Sequence, residues 1–258
     1  MVINKSYLKD SNLRILILSC NSYSDLWIPF VFCFKKYWFD CPWPVNIISD
    51  SSNIEELNGI KIKSFGSSLS WSEILKKALL SINEDYVIIM LDDFLLKTFV
   101  NNSEVIKIFS LVQNRNINMF RLIPRPAPLK IKNKLYGEIS PMEKWRVSTQ
   151  AAIWNKQILL KILNDNEHPW DFEMLGSKRA SKIPSFFGSK NHIIKYYHHD
   201  VQRGLWFPWS IMWMRFNGVP FNKQSRETMS MRSTIYYVIV KFFIKIRDSI
   251  FPNKIKLR

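Results

Sequence analysis

Residues Tyr86–Leu91 read YVIIML and run straight into Asp92-Asp93. An apolar run without alternation leaves a strand no solvent-facing side, so it must be covered on both faces. Covering both faces of a sheet takes helices on either side, which points to an α/β layered fold. Leu13–Ser19 (LRILILS) and Val45–Ser49 (VNIIS) have the same character, and Ile60–Phe65 is a weaker strand. Between and after them come helical stretches: an aromatic-rich one from Asp25 to Phe39, interrupted near Pro29, and Ser103–Gln113. Another is opened by Ser70, with Glu73 placed for a capping box, and runs to about Ile82. Further along, the sequence predicts strands at Met119–Ile123, Val147–Trp154 and Ile193–Tyr197, and helices at Lys156–Leu163 and Asp171–Gly176. Arg125–Tyr136 reads as a basic, proline-containing loop. Strands alternating with helices imply βαβ units and a mostly parallel sheet.

The 258 residues suit one sizeable domain with an appendage, and 47% hydrophobic residues suffice for a full core, which argues against disorder. The net charge of +16 favours anionic partners: phosphate groups, nucleic acid or an anionic membrane face. The basic residues are spread along the chain and no nucleic-acid-binding motif is present, so nucleic acid is the weaker of these readings. Cys20, Cys33 and Cys41 form no CxxC and lie among apolar residues, as reduced core thiols of an intracellular protein do. No secretory signal is expected, and no window reaches the ~20 apolar residues of a spanning helix. The first strand is not followed by GxGxxG and no GxxxxGK[ST] occurs, which removes the main support for dinucleotide-dependent oxidoreductases and P-loop ATPases.

Parallel sheets bind ligands at the carboxyl ends of their strands, a rule that selects Asn21, Asp50 and Asp92-Asp93 together. Two adjacent carboxylates after a buried strand repel each other, and desolvation adds to the cost. A divalent cation relieves both, and Mg²⁺ or Mn²⁺ takes oxygen ligands from one or two carboxylates and from substrate phosphates. A solvated turn with Asp capping a helix is the plainer alternative. A second constellation is Pro169-Trp170-Asp171-Phe172-Glu173, where a carboxylate beside aromatic rings is partly desolvated, as a general base requires. The same residues are also ordinary helix-start chemistry, proline followed by acids. A third is His198-His199-Asp200, which is either a polar loop or a source of an imidazole ligand. Trp206, Trp209 and Trp213 have the spacing of one helical face, for core packing or for stacking on a glycan or lipid linker. Arg121, Arg125 and Lys130–Lys134 fit a solvated basic face.

The segment YVIIMLDDFLL resembles the metal-binding strand end of GT-A-type glycosyltransferases, whose signature is Asp-X-Asp or a close variant. The likeness extends to the opening strand with its polar tip, Ile17–Asn21, and to PWDFE followed by Gly176-Ser177, and so covers about residues 13 to 205. It is nearest to bacterial glycosyltransferases of surface-polysaccharide (capsule, O-antigen or related glycan) biosynthesis. This chain departs from the pattern in having no spacer between its two carboxylates. The resemblance implies a GT-A-like, Rossmann-like domain over residues 1–225. It implies metal-assisted transfer of a sugar from a nucleotide diphosphate donor to a glycan acceptor, inverting, with Mn²⁺ or Mg²⁺. Asp93 would hold the metal and Asp92 the ribose or the same metal. Asn21 and Asp50 would hold the base and ribose, Glu173 or else Asp171 would act as base, and His199 would complete the metal shell. A metal-dependent nucleotidyl- or phosphotransferase using the same Asp pair is the rival enzyme.

Residues 226–258 differ in character. On a helical wheel Ile235, Ile239, Phe242, Phe243, Ile246 and Ile250 fall on one side and Lys241, Lys245 and Asp248 on the other. Lys254, Lys256 and Arg258 follow Pro252. This is the pattern of a basic amphipathic helix lying in a lipid interface, and it suits a lipid-linked glycan acceptor at the cytoplasmic face of a membrane. An apolar face packed on the domain or on a second subunit is the alternative.

Overall fold

The computed structural model describes residues 12–128, 130–131, 135–197 and 201–250. Strand β1 (Leu13–Leu18) leads through a 3₁₀ turn over Asn21–Leu26 into α1 (Trp27–Tyr37). Strands β2 (Val45–Ser49), β3 (Glu56–Leu57) and β4 (Ile60–Ser64) precede α2 (Trp71–Leu80). Then come β5 (Tyr86–Leu91), α3 (Asn102–Asn114), β6 (Met119–Arg121), β7 (Lys130–Ile131), β8 (Tyr136–Glu138) and β9 (Ala152–Asn155). Helices α4 (Lys156–Ile162) and α5 (Pro169–Ala180) follow, then β10 (Phe186–Ser189) and the short pair β11 (Val201–Gln202) and β12 (Leu205–Trp206). The described chain ends with α6 (Pro208–Phe216), a 3₁₀ turn at Lys223–Ser225 and α7 (Met231–Ile250).

Ten of these strands form one sheet in the order β3-β4-β2-β1-β5-β9-β6-β10-β8-β7. The fold is thus α/β, a mixed sheet flanked by helices and Rossmann-like in its parallel half, as expected from the sequence. Strands β4, β2, β1 and β5 pair in parallel, and β6 pairs in parallel with β10. Strand β9 lies antiparallel between β5 and β6. The period of two along each strand divides the core. Ile15, Ile17, Ile88 and Met90 pack with α1 and α3, whereas Leu16, Leu18, Val87 and Ile89 pack with α2, α4 and α5. Each fully buried Leu or Ile contributes about 1.5–3 kcal/mol, which makes the central strands the least negotiable part of the chain.

Four local readings change. Pro29 does not interrupt α1, because it occupies the first turn, where its missing N–H would have had no helical partner. Only Ala152–Trp154 of the predicted Val147–Trp154 strand is extended into the sheet, as part of β9, and it runs antiparallel. The backbone N–H groups of Val147 and Thr149 are taken by Ser177 Oγ and the Glu173 carboxylate on α5, which removes them from a ladder. Within Ile193–Tyr197 the described pairing is a single bridge, Leu96 to Tyr196, while β10 was not foreseen. Trp206 belongs to β12 and is fully buried, so it shares no helical face with Trp209 and Trp213.

Arg121 and Arg146 are also core residues, at 0% and 1% exposure, and Arg121 is no part of a solvated face. Arg121 donates to the carbonyls of Trp145 (2.7 Å), Arg146 (3.0 Å) and Pro126 (3.3 Å). Arg146 donates to Ile139, Ala180 and Ile183 carbonyls and stacks on Phe186. The two guanidiniums satisfy loop carbonyls that no ladder reaches, and burial lowers both to about 10. Among the described residues, no helix is long and apolar enough to cross a membrane. Contacts also cross the compositional change at residue 226: the N–H of Trp206 donates to Glu227 O, and that of Met229 to Trp206 O.

Candidate active site

The parallel ladder of β1 and β5 continues one step past both strands, with Asp92 N–H donating to Leu18 O at 3.3 Å. That step sets Ser19 beside Asp92. Trp27 Nε1, a donor only, gives its proton to Ser19 Oγ at 2.6 Å, and Ser19 Oγ in turn donates to Asp92 Oδ2 at 2.5 Å. Asp92 is 6% exposed. Burial and then the charge of Asp93 push its carboxyl well above the usual range, with the Ser19 bond opposing them.

Asp93 is differently placed. Its Oδ1 is buried and has no hydrogen-bond partner among the described residues, and burial pushes the carboxyl up to about 6. A desolvated carboxylate oxygen without a donor is costly unless a proton or a cation meets it. The next residue, Phe94, stacks on Tyr196 with ring centres 4.4 Å apart and planes 15° apart. This stack and the backbone bonds from Lys97 N to Lys195 O and from Tyr197 N to Leu95 O join residues 195–197 to the segment after the Asp pair.

On the β2 side, Asp50 Oδ1 accepts from Asn21 N–H (2.6 Å), Ser51 N–H (2.9 Å) and Ser49 Oγ (3.0 Å). These donors hold its carboxyl below the usual range against the opposing pull of burial. Asn21 and Asp50, both singled out from the sequence, are therefore in direct contact through the Asn21 backbone.

The stretch before β9 holds a further, partly buried carboxylate. Strands β5 and β9 pair Ile88 with Ile153 and Ile89 with Ala152, and Thr149 lies in the stretch that leads into β9. Thr149 there binds the Glu173 carboxylate twice, N–H to Oε1 at 2.7 Å and Oγ1 to Oε1 at 2.9 Å. Burial raises the Glu173 carboxyl, while the Thr149 bonds and the charge of Arg121 restrain it. Asp171 instead accepts from His168 N–H at 3.3 Å at the start of α5, the helix-start role. Trp170, one turn before Glu173, is 72% exposed. His199 lies outside the described residues.

Sequence reasoning missed Ser19, Thr149, Tyr196 and Arg226. The strand-end rule could have reached Ser19; the others arrive by packing without a local signature. Arg226 forks onto Asp25 at 2.6 and 2.7 Å, donates to Ser22 O at 2.6 Å and stacks on Tyr23 at 4.1 Å. Its charge acts on Asp92 to favour the ionised form.

Among the described residues, no three His, Cys, Asp or Glu side chains converge as a complete metal cage. The Asp pair nevertheless suits Mg²⁺ or Mn²⁺. Such ions take one or two carboxylates and fill the remaining positions with water and substrate phosphate, and Asp93 Oδ1 is a hard oxygen without a donor among the described residues.

No protein-family model and no curated protein sequence matches the chain. Three solved structures illustrate what it is similar to. Residues 1–349 of TarS from S. aureus align over 68% of this chain and 59% of that one, at 12% identity and a TM-score of 0.46. A cytidylyltransferase from Leptospira borgpetersenii aligns over 86% and 99%, at 12% identity and a TM-score of 0.45. Glucosyl-3-phosphoglycerate synthase from Mycobacterium tuberculosis, in complex with Mn²⁺ and UDP-glucose, aligns over 60% and 61%, at 11% identity and a TM-score of 0.35. The chain thus spans less than two thirds of TarS 1–349, and function has to be read from its own residues.

Proposed function

We propose that the chain transfers a sugar from a nucleotide diphosphate donor to a glycan acceptor, with the chemistry centred on Asp92-Asp93. The observation that carries the reading is the buried Asp93 Oδ1 at the carboxyl end of β5, without a donor among the described residues and beside an Asp92 already bound by Ser19. The division of labour follows: Asp93 is the principal metal ligand, and Asp92, fixed by Ser19, orients the ribose or assists at the same ion. His199 is proposed as a further ligand. When bound, Mn²⁺ or Mg²⁺ offsets the charge that develops on the departing diphosphate. Asn21 and Asp50 hold the base and ribose, their mutual bond fixing the β1 and β2 tips.

Glu173 takes the proton of the attacking acceptor hydroxyl. Its burial supports that role by raising its proton affinity, and the two Thr149 donors aim one oxygen and leave the other to act. A single displacement with this base inverts the anomeric centre. Asp171 is the second candidate, already engaged at the helix start. Where the glycan is carried on a lipid, the enzyme sits peripherally on the cytoplasmic face of a membrane, with the C-terminal helix as its contact.

The test is metal-dependent turnover of a panel of nucleotide sugars and nucleoside triphosphates. Release of nucleoside diphosphate from one or more nucleotide sugars supports sugar transfer. Pyrophosphate release from a triphosphate, with every nucleotide sugar inert, makes the protein a nucleotidyltransferase instead.

A further inference from the structure

Helix α7 is seated on the body by one side. Thr234 is fully buried, and Tyr237 donates its hydroxyl to Gln202 Oε1 at 2.6 Å and sets its ring against Phe207. At 3.6 residues per turn, Met231, Ile235, Ile239 and Phe242 fall roughly a third of a turn away from that side. They are 47–59% exposed, and Phe243 beside them is 63% exposed. The described part of the stripe seen in the sequence, Ile235, Ile239, Phe242 and Phe243, is therefore not the surface by which α7 packs on its own domain.

Helix α6 repeats the arrangement. It buries Ser210, Ile211 and Met214 and leaves Met212 at 66% and Phe216 at 90% exposure, with Trp209 at 39% on the same side. The rings of Trp209 and Tyr237 both abut Phe207, at 5.5 and 5.9 Å, so the two helices adjoin at that point. Soluble monomers rarely expose large contiguous apolar patches, and those that do usually cover them with a partner or a membrane.

Charge selects the occupant. From residue 241 onward the sequence has six cations, Lys241, Lys245, Arg247, Lys254, Lys256 and Arg258, and one acid, Asp248. A second copy would bring another +16 against this one. An anionic bilayer offers hydrocarbon to the stripes and negative charge to the lysines and arginines, each of which strengthens binding roughly fivefold. We infer that α6 and α7 together form one face that docks on an anionic lipid surface. Trp209 sits at the headgroup level, as interfacial tryptophans do, and Phe216, Phe242 and Phe243 reach the acyl boundary. This extends the peripheral placement from the tail alone to a two-helix surface, and it rests on that placement rather than on the sugar chemistry.

Flotation of the full chain with phosphatidylglycerol-rich and with purely phosphatidylcholine vesicles tests it. The protein floats with the anionic vesicles and far less with the neutral ones, and added salt weakens the association. Met212→Ser/Phe216→Ser and Phe242→Ser/Phe243→Ser each cut vesicle partitioning roughly tenfold or more, since exposed rings that no longer enter lipid lose their transfer free energy. Melting temperatures of both variants, and their Mn²⁺-dependent nucleotide binding without vesicles, match the parent. The inference is overturned if the α6 variant floats like the parent or if neutral vesicles bind equally well. It is overturned too if the parent stays unbound, or sediments as a dimer that Phe242→Ser/Phe243→Ser dissociates. If flotation behaves as stated and no nucleotide binds to any variant or the parent, the docking face stands and the sugar-transfer reading falls.

Discussion

At Asp92 and Asp93 two adjacent carboxylates receive different treatment from the fold. Ser19 meets one, and nothing among the described residues donates to Oδ1 of the other. Burial raises Asp93 from the ordinary 3.8 to about 6, so the native state holds this proton more tightly than the unfolded chain does. Its contribution to stability is complete below about pH 4 and is lost as pH rises through 6, a loss on the order of 1–3 kcal/mol. Asp93→Asn removes the ionisation, so the metal-free variant should melt above the metal-free parent at pH 7.5 and at about the same temperature at pH 4. Calorimetric scans check this; a variant that melts lower at pH 7.5 contradicts it. The same ionisation makes Mn²⁺ binding weaken below about pH 6. At Glu173, Glu173→Gln should leave donor affinity intact and lower kcat by roughly 10²–10⁴, the usual worth of a general base. Normal turnover by that variant together with an inactive Asp171→Asn would move the base to Asp171.

The elements explain which parts of this site were legible. Strands β1, β2 and β5 announce themselves because burial on both faces demands continuous apolar sequence, and their polar tips then mark Asn21, Asp50 and the Asp pair. Strand β9 was expected within Val147–Trp154, but nothing in its sequence signals its direction. Its four residues look like any apolar stretch, and its reversed direction is set by long-range pairing with β5 and β6. Thr149 was invisible as well, since its contact with Glu173 comes from the packing of α5 against the stretch before β9. Arg121 and Arg146 were misleading for a related reason: a basic residue in a loop reads as solvated until the carbonyls that bind it are known. The Thr149 contact is open to a direct check. Thr149→Val keeps the backbone donor to Glu173 and removes the hydroxyl donor, so kcat should fall by roughly tenfold, less than in Glu173→Gln. The acid limb of the pH–rate profile should move upward, because a carboxylate with one donor fewer binds its proton more tightly. Steady-state rates across pH 5–9 measure both; an unshifted profile with unchanged kcat means that the Thr149 hydroxyl does not aim the base.

Over the whole molecule, one sheet gathers the tips of β1, β2 and β5 at one edge, and Thr149 ties Glu173 of α5 to the stretch that leads into β9. The +16 charge had suggested anionic partners without saying which, and the two proposals give it two destinations, a diphosphate at the strand ends and a lipid surface on α6 and α7. Arg226 joins the two regions, since it holds Asp25 in the turn after β1 and lies a few residues before α7. The central claim is that Asp93 binds the metal through which a nucleotide diphosphate is held. It is tested most directly by calorimetric titration of uridine, guanosine and cytidine diphosphates into the parent and into Asp93→Ala, each with and without Mn²⁺. The account predicts that at least one nucleotide binds the parent only with Mn²⁺ and does not bind Asp93→Ala under either condition. Equal, metal-independent affinity for parent and variant would contradict it.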